Sequence, residues 1–379
     1  MEKIFRVFNK VNCQKIKMEQ KELNLINYST FNEKYKKILI TGGLGFIGSA
    51  LIFRLLKKTN VKIFNIDKLF QKNNNLSVNN QFTNYGNSRY KFFNHDLKYN
   101  EFLENIFKES NPDIIFHLAA ESHVDKSIQS PRKFLESNIV GTFNMLENSL
   151  IHYNKLSINK KSNFKFLHIS TDEVFGSLGK LGLFNENSNY KPMSPYSATK
   201  AASDHLVDSW FHTFGLPSLV SNCSNNYGPR QFPDKLIPKI IINALNSKSI
   251  PIYGNGLNIR DWLFVEDHIN ALILIADKGK PGSHYCIGGG EEKSNINICN
   301  KICSLLDDLK PQIFSYSSLI EFVDDRAGHD FRYGIDSSLI YKELGWKPLF
   351  KFDKKIKETI IWYLRNQNWV KFINQELEY

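Results

Sequence analysis

A doubly wound α/β fold built on a parallel sheet is predicted for this chain, on three observations. Short β-branched and aromatic runs alternate with amphipathic stretches from residue 38 to about residue 222. A glycine-rich turn joins the first run to the first amphipathic stretch. An acidic residue, Asp67, closes the second run. Strands that alternate with helices are joined by right-handed crossovers, which lay the strands parallel and cover both faces of the sheet with helices. The architecture is of the Rossmann type, with a smaller, irregular C-terminal lobe.

The elements follow in order. Lys37-Ile38-Leu39-Ile40-Thr41 starts abruptly as a strand over 38–41, and a helix over 46–58 follows. Further strands are predicted over 61–66, 90–93, 114–118, 166–170 and 218–222, with helices near 100–109, 132–150 and 198–214. Residues 1–35 are polar, rich in Lys and Asn and without period; a poorly ordered extension is expected there, with Met18 as an alternative start. Residues 36–227 should form the dinucleotide-binding domain and carry the catalytic residues. Beyond residue 228 turn residues crowd (Gly228-Pro229, Gly254-Asn255-Gly256, Gly288-Gly289-Gly290), so residues 228–379 should be mostly a substrate-binding lobe, some segments returning to the first domain.

Composition narrows the function. With 379 residues, 42% hydrophobic and 23% charged, the chain suits a globular protein rather than a disordered one. A net charge of +11 attracts nucleic acid or an acidic small molecule alike. No block of like charges forms a binding stripe, so a diphosphate-bearing small molecule is the expected partner, not nucleic acid. The odd set Cys13, Cys223, Cys286, Cys299 and Cys303, without a CxxC pair, argues against a disulfide framework or structural zinc and for a reducing, cytoplasmic setting. No metal is expected: Cys299 and Cys303 read as small residues of a packed helix. No apolar run approaches the roughly 18 residues a membrane span requires.

The segment Thr41-Gly42-Gly43-Leu44-Gly45-Phe46-Ile47-Gly48 lies between a strand and a helix. Gly42, Gly45 and Gly48 let the chain turn tightly, so that the helix start at Phe46 and Ile47 approaches a pyrophosphate. Asp67 suits the hydroxyls of an adenosine ribose and repels a 2′-phosphate, which points to NAD rather than NADP; Lys68 beside it weakens that repulsion. Asp96 and Leu97, after the third strand, are placed to meet the adenine.

Tyr196-Ser197-Ala198-Thr199-Lys200 sets a phenol and an ammonium one helical turn apart. A phenol is a poor base at neutral pH until a cation favours its phenolate, so Lys200 is expected to activate Tyr196 toward a substrate alcohol. The strand before it ends in Thr171-Asp172-Glu173, and adjacent carboxyl groups in different surroundings supply one proton donor and one proton acceptor, as an elimination requires.

From about Lys37 to about Trp346 the glycine motif and the Tyr/Lys pair resemble the extended short-chain dehydrogenase/reductase family. Within it the chain looks like the nucleotide-sugar 4,6-dehydratases, through Asp172-Glu173, His117-Leu118-Ala119-Ala120-Glu121-Ser122-His123-Val124-Asp125, Asn222-Cys223-Ser224-Asn225-Asn226-Tyr227-Gly228-Pro229 and Arg260-Asp261-Trp262. Sugar epimerases of the family usually carry small residues where this chain has Asp172 and Glu173. The resemblance implies that bound NAD stores a hydride taken from C4 of a nucleoside-diphosphate hexose and returns it to C6. It implies Tyr196 as base for the C4 hydroxyl, with Thr171 on the C4 oxygen and Lys200 holding Tyr196 and the nicotinamide ribose. Glu173 would take the C5 proton and Asp172 protonate the leaving C6 hydroxyl.

The same resemblance extends the cofactor contacts to Leu118, Ala119, Ala120, Ser122, Ser137 and Asn226. It brings Ser122, Asn225, Lys235, Leu236, Pro251, Tyr253, Arg260, Asn295, Asp325, Arg326 and His329 to the substrate, the arginines forking onto its diphosphate. It also implies a homodimer and dTDP-glucose as the first substrate to consider, UDP- and CDP-hexoses remaining open. On the same resemblance His117 and His123 are loop residues rather than a metal-ligand pair. The chain departs from the family after Asp67, where Lys68-Leu69-Phe70-Gln71-Lys72 replaces a Leu-Thr-Tyr-Ala-Gly-like turn, and at Ala327, where proline is usual. A 4-epimerase or decarboxylase of the same fold is the nearest alternative, and a non-catalytic NAD-binding regulator the alternative of another class.

Overall fold

The structure, a computed structural model, describes residues 26–68, 78–86 and 88–377. Seven parallel strands form the central sheet: β1 Lys37–Thr41, β2 Lys62–Asp67, β3 Tyr90–Asn94, β4 Ile114–His117, β5 Lys165–Thr171, β6 Ser218–Cys223 and, from far along the chain, β10 His284–Ile287. Their order is β10-β6-β5-β4-β1-β2-β3. The Rossmann-type architecture read from the alternating pattern is the one observed. In β1, Ile38 and Ile40 join the core on one face and Leu39 the core on the other, because side chains alternate along a strand and both faces are covered. Helices Phe46–Lys58 and Val265–Lys278 supply Leu51, Leu55, Ile269 and Ile273 to the first core. Helices Leu103–Ser110, Gly141–Lys155 and Pro195–Phe214 supply Phe107, Met145, Leu146 and Val207 to the second. The strand order turns back between β1 and β4, which opens a crevice at their C-terminal ends.

Beyond residue 223 the remaining short strands are β7 Asn225–Tyr227, β8 Ile250–Tyr253, β9 Ile259–Phe264, β11 Glu292–Ser294 and β12 Ile320–Val323. They pair as β11-β9-β7 and β12-β8. Their core, with Ile240, Ile298, Ile302, Ile356 and Tyr363, encloses Cys299 and Cys303 as buried packing residues.

Three features depart from the sequence reading. Residues 26–35, expected in a loose extension, are packed: Asn27 caps helix Tyr28–Lys34, Phe31 is fully buried, and the Tyr35 hydroxyl donates to Ala276 O at 2.8 Å. One aromatic per turn in a polar stretch carries too little periodicity to announce such a helix. Residues 1–25 and the turn at 69–77 lie outside the described residues. Helix Val78–Gly86 has no counterpart in the sequence reading of its Asn-rich segment, yet Phe82 is buried edge-on against Phe53, centroids 4.7 Å apart. The helix expected over 132–150 is three pieces, Pro131–Phe134, a π-helical turn Leu135–Val140 and Gly141–Lys155. No helix among the described residues is long and apolar enough to cross a membrane, and no group of three or more ligating side chains there could hold a metal.

Candidate active site

At the end of β1 the chain turns through Gly42, whose φ is +73°. A Cβ on Gly48 would lie 2.2 Å from Gly42 O, so only glycine lets the following helix start this close to the strand. Helix Phe46–Lys58 begins at Gly45 with no side-chain cap, which leaves its first amides open to an anionic group. Asp67 accepts from the Leu44 amide at 2.8 Å and the Lys68 amide at 2.9 Å. Burial lifts its carboxyl to about 6 against the pull of those two amides, which keeps it an anion at neutral pH. Lys68 turns away from it to Glu121, 2.8 Å, with Asp96 at 4.0 Å.

The loop after β4 forms the opposite wall. Thr41 Oγ1 accepts from the Ala119 amide at 3.2 Å and pairs with His117 Nδ1 at 2.7 Å, while His117 Nε2 meets Thr142 Oγ1 at 3.0 Å. His117 is thus a buried structural histidine. Asn138, next to Ser137 in the π-helical turn, accepts from the Glu121 amide at 2.8 Å and donates to Glu121 O and Thr199 Oγ1, at 3.1 and 3.0 Å. It ties the loop carrying Leu118, Ala119, Ala120 and Ser122 to the helix carrying Tyr196. The sequence reading passed over Asn138, because a π-turn has no period of its own.

β5 delivers the two candidate carboxyls. Thr171 ends the strand, accepts from the Glu173 amide and donates to Asp172 Oδ1, both at 3.3 Å, and so caps the 3-10 turn Asp172–Phe175. Gly176 closes that turn at φ +86°, with Lys191 O only 2.4 Å from where a Cβ would stand. Asp172 is buried, and its Oδ2 has no partner among the described residues. Burial first, then Glu173 and Asp261, push its carboxyl well above the usual range. Glu173 is also raised by burial, but Arg326, Arg260 and Lys235 pull it back. Both carboxyls are therefore raised, Asp172 well above the usual range and Glu173 against the opposing pull of three cations that favour its anion.

Helix Pro195–Phe214 starts with a reciprocal Ser194/Ser197 cap and brings Tyr196 to this turn. The phenol interacts with the Thr171 hydroxyl and feels Glu173, Cys223 and Asp172; burial, foremost, pushes it well above its ordinary value. Lys200 departs from expectation. Instead of pairing with the phenol, its Nζ donates to Ile169 O at 2.9 Å and meets His168 Nε2 at 3.1 Å. Two residues one turn apart share a face, but a long lysine chain ends where a buried carbonyl and an imidazole accept from it.

The lobe side completes the cleft. Lys235 Nζ donates to Ser122 O at 2.6 Å, the Tyr253 hydroxyl to Asp125 Oδ2 at 3.2 Å, and Arg326 Nη1 lies 3.5 Å from Asp125 Oδ1. His329 pairs with Asp325 at 2.6 Å and packs edge-on against Tyr253. Asn225 Oδ1 is buried without a partner among the described residues, and Asn226 bonds Ser224 O and His268. Arg260, expected to fork onto a diphosphate, is buried over Tyr333 with its guanidinium 4.3 Å from the ring and donates to Ile259, Phe331 and Asp330 carbonyls. Its charge acts on Glu173 and Asp172 instead. Tyr333, buried and facing Glu173 and Arg260, went unnoticed in the sequence because nothing local marks it. Pro251 sits on β8 beside Tyr253, Leu236 follows Lys235 at a helix start, and Asn295 opens helix Asn295–Leu309.

Residues 39–359 match the family model described as GDP-mannose 4,6 dehydratase. A dTDP-glucose 4,6-dehydratase of Salmonella typhimurium is 50% identical over 343 residues, spanning 88% of this chain and 94% of the relative. The crystal structure of dTDP-glucose 4,6-dehydratase from Bacillus anthracis in complex with NAD superposes with a TM-score of 0.77 at 38% identity, covering 89% of this chain and 99% of that one. One from Streptomyces venezuelae, also with NAD bound, gives 0.78 at 34% identity with the same coverage.

Proposed function

Since the chain belongs to the nucleotide-sugar 4,6-dehydratase family that this model and these relatives define, we propose that it uses NAD to convert a nucleoside-diphosphate hexose to its 4-keto-6-deoxy form and water. Similarity to dTDP-glucose 4,6-dehydratases makes dTDP-glucose the substrate of choice. The observation that carries the reading is the carboxyl pair on the Thr171 turn, Asp172 buried with an Oδ2 that has no partner among the described residues and Glu173 within the field of Arg326, Arg260 and Lys235, beside one buried phenol.

The residues fit NAD. The uncapped helix start and the glycine turn suit its pyrophosphate, and the anionic Asp67 suits its adenosine ribose. Bound NAD would supply the store for one hydride, taken from C4 and returned at C6. Tyr196 takes the proton of the C4 hydroxyl, and Thr171 holds the C4 oxygen. Once C4 is a ketone the C5 proton becomes acidic, and Glu173 removes it. Asp172 gives its proton to the C6 hydroxyl, which leaves as water; as the hydride returns to C6, Glu173 gives the proton back to C5, and the proton taken up by Tyr196 resets Asp172, so that water is the only net loss. Lys235, Tyr253, Arg326 and His329 line the nucleotide side, where a diphosphate would take over donors that Asp125 and Ser122 hold here.

Incubation with NAD and, in turn, dTDP-, UDP-, CDP- and GDP-hexoses should yield a 4-ketosugar with loss of water from dTDP-glucose. An epimerase would change only the C4 configuration, and no product from any hexose would sink the dehydratase reading.

A homodimer is part of the same proposal. Phe143 and Ile151 on helix Gly141–Lys155 and Phe214 on helix Pro195–Phe214 are exposed, and Trp210 stacks edge-on with both Phe143 and Phe214. Such an apolar pair of helices suits a twofold interface. Light scattering should return twice the chain mass, falling to the single mass in Phe143→Asp/Ile151→Asp. The cytoplasm is the compartment we assign, as the four described cysteines are all unpaired.

A further inference from the structure

Behind Lys200 lies a closed set of polar groups that the reaction as written does not use. His168 Nε2 stands 3.1 Å from Lys200 Nζ and 3.3 Å from Asp204 Oδ1. Asp204 Oδ2 accepts from Ser170 Oγ and the Tyr190 hydroxyl, each at 2.8 Å, and from Asn222 Nδ2 at 3.2 Å. Asp204 and His168 are fully buried, and Lys200 nearly so. Asp204 Oδ2 sits among donors only and the carboxyl is held as an anion, and a buried anion requires a cation close by. His168 Nε2 faces both groups, and in a neutral ring it accepts from the ammonium, so the charge that answers Asp204 is that of Lys200.

Resting on the dehydratase reading, we propose that Asp204 and His168 are positioning residues that keep Lys200 an ammonium inside the sealed pocket and thereby let Tyr196 act as the C4 base. Burial pulls Lys200 down to about 8, and Asp204 is the first influence opposing that pull. Burial holds His168 to about 4, which leaves it neutral and accepting. Cys223 on β6 also faces Lys200, His117 on β4 stacks on His168 at 5.3 Å, and His284 on β10, paired with Asp208, lies toward Asp204. None of these replaces the Asp204 charge: the thiol is pushed up to about 12, and His117 is driven neutral by burial.

Without the Asp204 charge the lysine loses its proton at lower pH, so C4 oxidation fails earlier on the alkaline side. The test uses the full chain carrying Glu173→Gln, which isolates C4 oxidation as the absorbance of reduced nicotinamide with NAD and dTDP-glucose. Adding Asp204→Asn should move the alkaline limb of that rate acidward by about one pH unit or more. Asp204→Glu should restore it, and Tyr190→Phe, which removes a neutral donor but no charge, should leave it in place. If Asp204→Asn does not fold, His168→Phe, which removes the accepting nitrogen, should move the limb the same way. A rate lowered equally at every pH, or an equal shift in Tyr190→Phe, reduces the pair to packing and overturns the proposal. No reduced nicotinamide in the parent with any nucleotide hexose overturns the dehydratase reading itself, and the proposal with it.

Discussion

Glu173→Gln is expected to lower overall turnover by about 10²- to 10⁴-fold, the usual contribution of a positioned general base, while C4 oxidation continues. The substitution preserves shape at the second position of the 3-10 turn, where the Glu173 amide is already fixed by Thr171. What it removes is a carboxylate that burial alone would protonate and that Arg326, Arg260 and Lys235 return toward the anion. The variant should therefore accumulate reduced nicotinamide and the 4-ketohexose and fail to exchange the C5 hydrogen in heavy water. Exchange at the parent rate would transfer the base role to another group of the pocket, Tyr333 being the nearest that faces the same carboxylate.

How much of this is legible without the structure depends on the kind of order each feature has. The strand and helix alternation is readable because β1, β2, β4, β5 and β6 are buried along most of their length and carry β-branched and aromatic runs, with helices between them of ordinary length. The glycine turn is readable because a Cβ at Gly42 or Gly48 has no room, which leaves a chemical trace in the chain. Tyr196, Lys200 and the Thr171 turn are readable as motifs, but the direction of the Lys200 side chain is not, since spacing fixes a face and not an end point. Asp204 does carry a signal, lying one further turn beyond Lys200 on the same face, and His168 interrupts an apolar strand. Asn138 and Tyr333 carry none: one acts from a π-turn, the other reaches Glu173 from more than 150 residues away in sequence. The helix Tyr28–Lys34 is hidden for a different reason, as its stability comes from docking Phe31 and Tyr35 under the sheet rather than from its own pattern.

Asp172→Asn should separate the two halves of the elimination from the other side. Tyr196 and Glu173 remain, so C4 oxidation and C5 exchange should persist, whereas loss of water from C6 should fall by about 10²- to 10⁴-fold. The proposed acid role requires the proton to stay on, and burial, Glu173 and Asp261 all favour the neutral form, against Arg260 and Thr171. The same shift has a consequence for stability. A carboxyl whose pKa is raised on folding contributes stability that is fully present below its unfolded value and is lost as pH rises through the folded value. The amide that replaces the Asp172 carboxyl has no titrating proton, so the melting temperature of Asp172→Asn should match the parent in acid and exceed it by on the order of 2–4 °C once the pH has risen above about 4, the unfolded carboxyl value. Thermal melts of both proteins across that range decide the point. A gap that stays constant with pH would mean that Asp172 is an ordinary ionised carboxylate in the folded chain, and the C6 proton would then have to come from elsewhere.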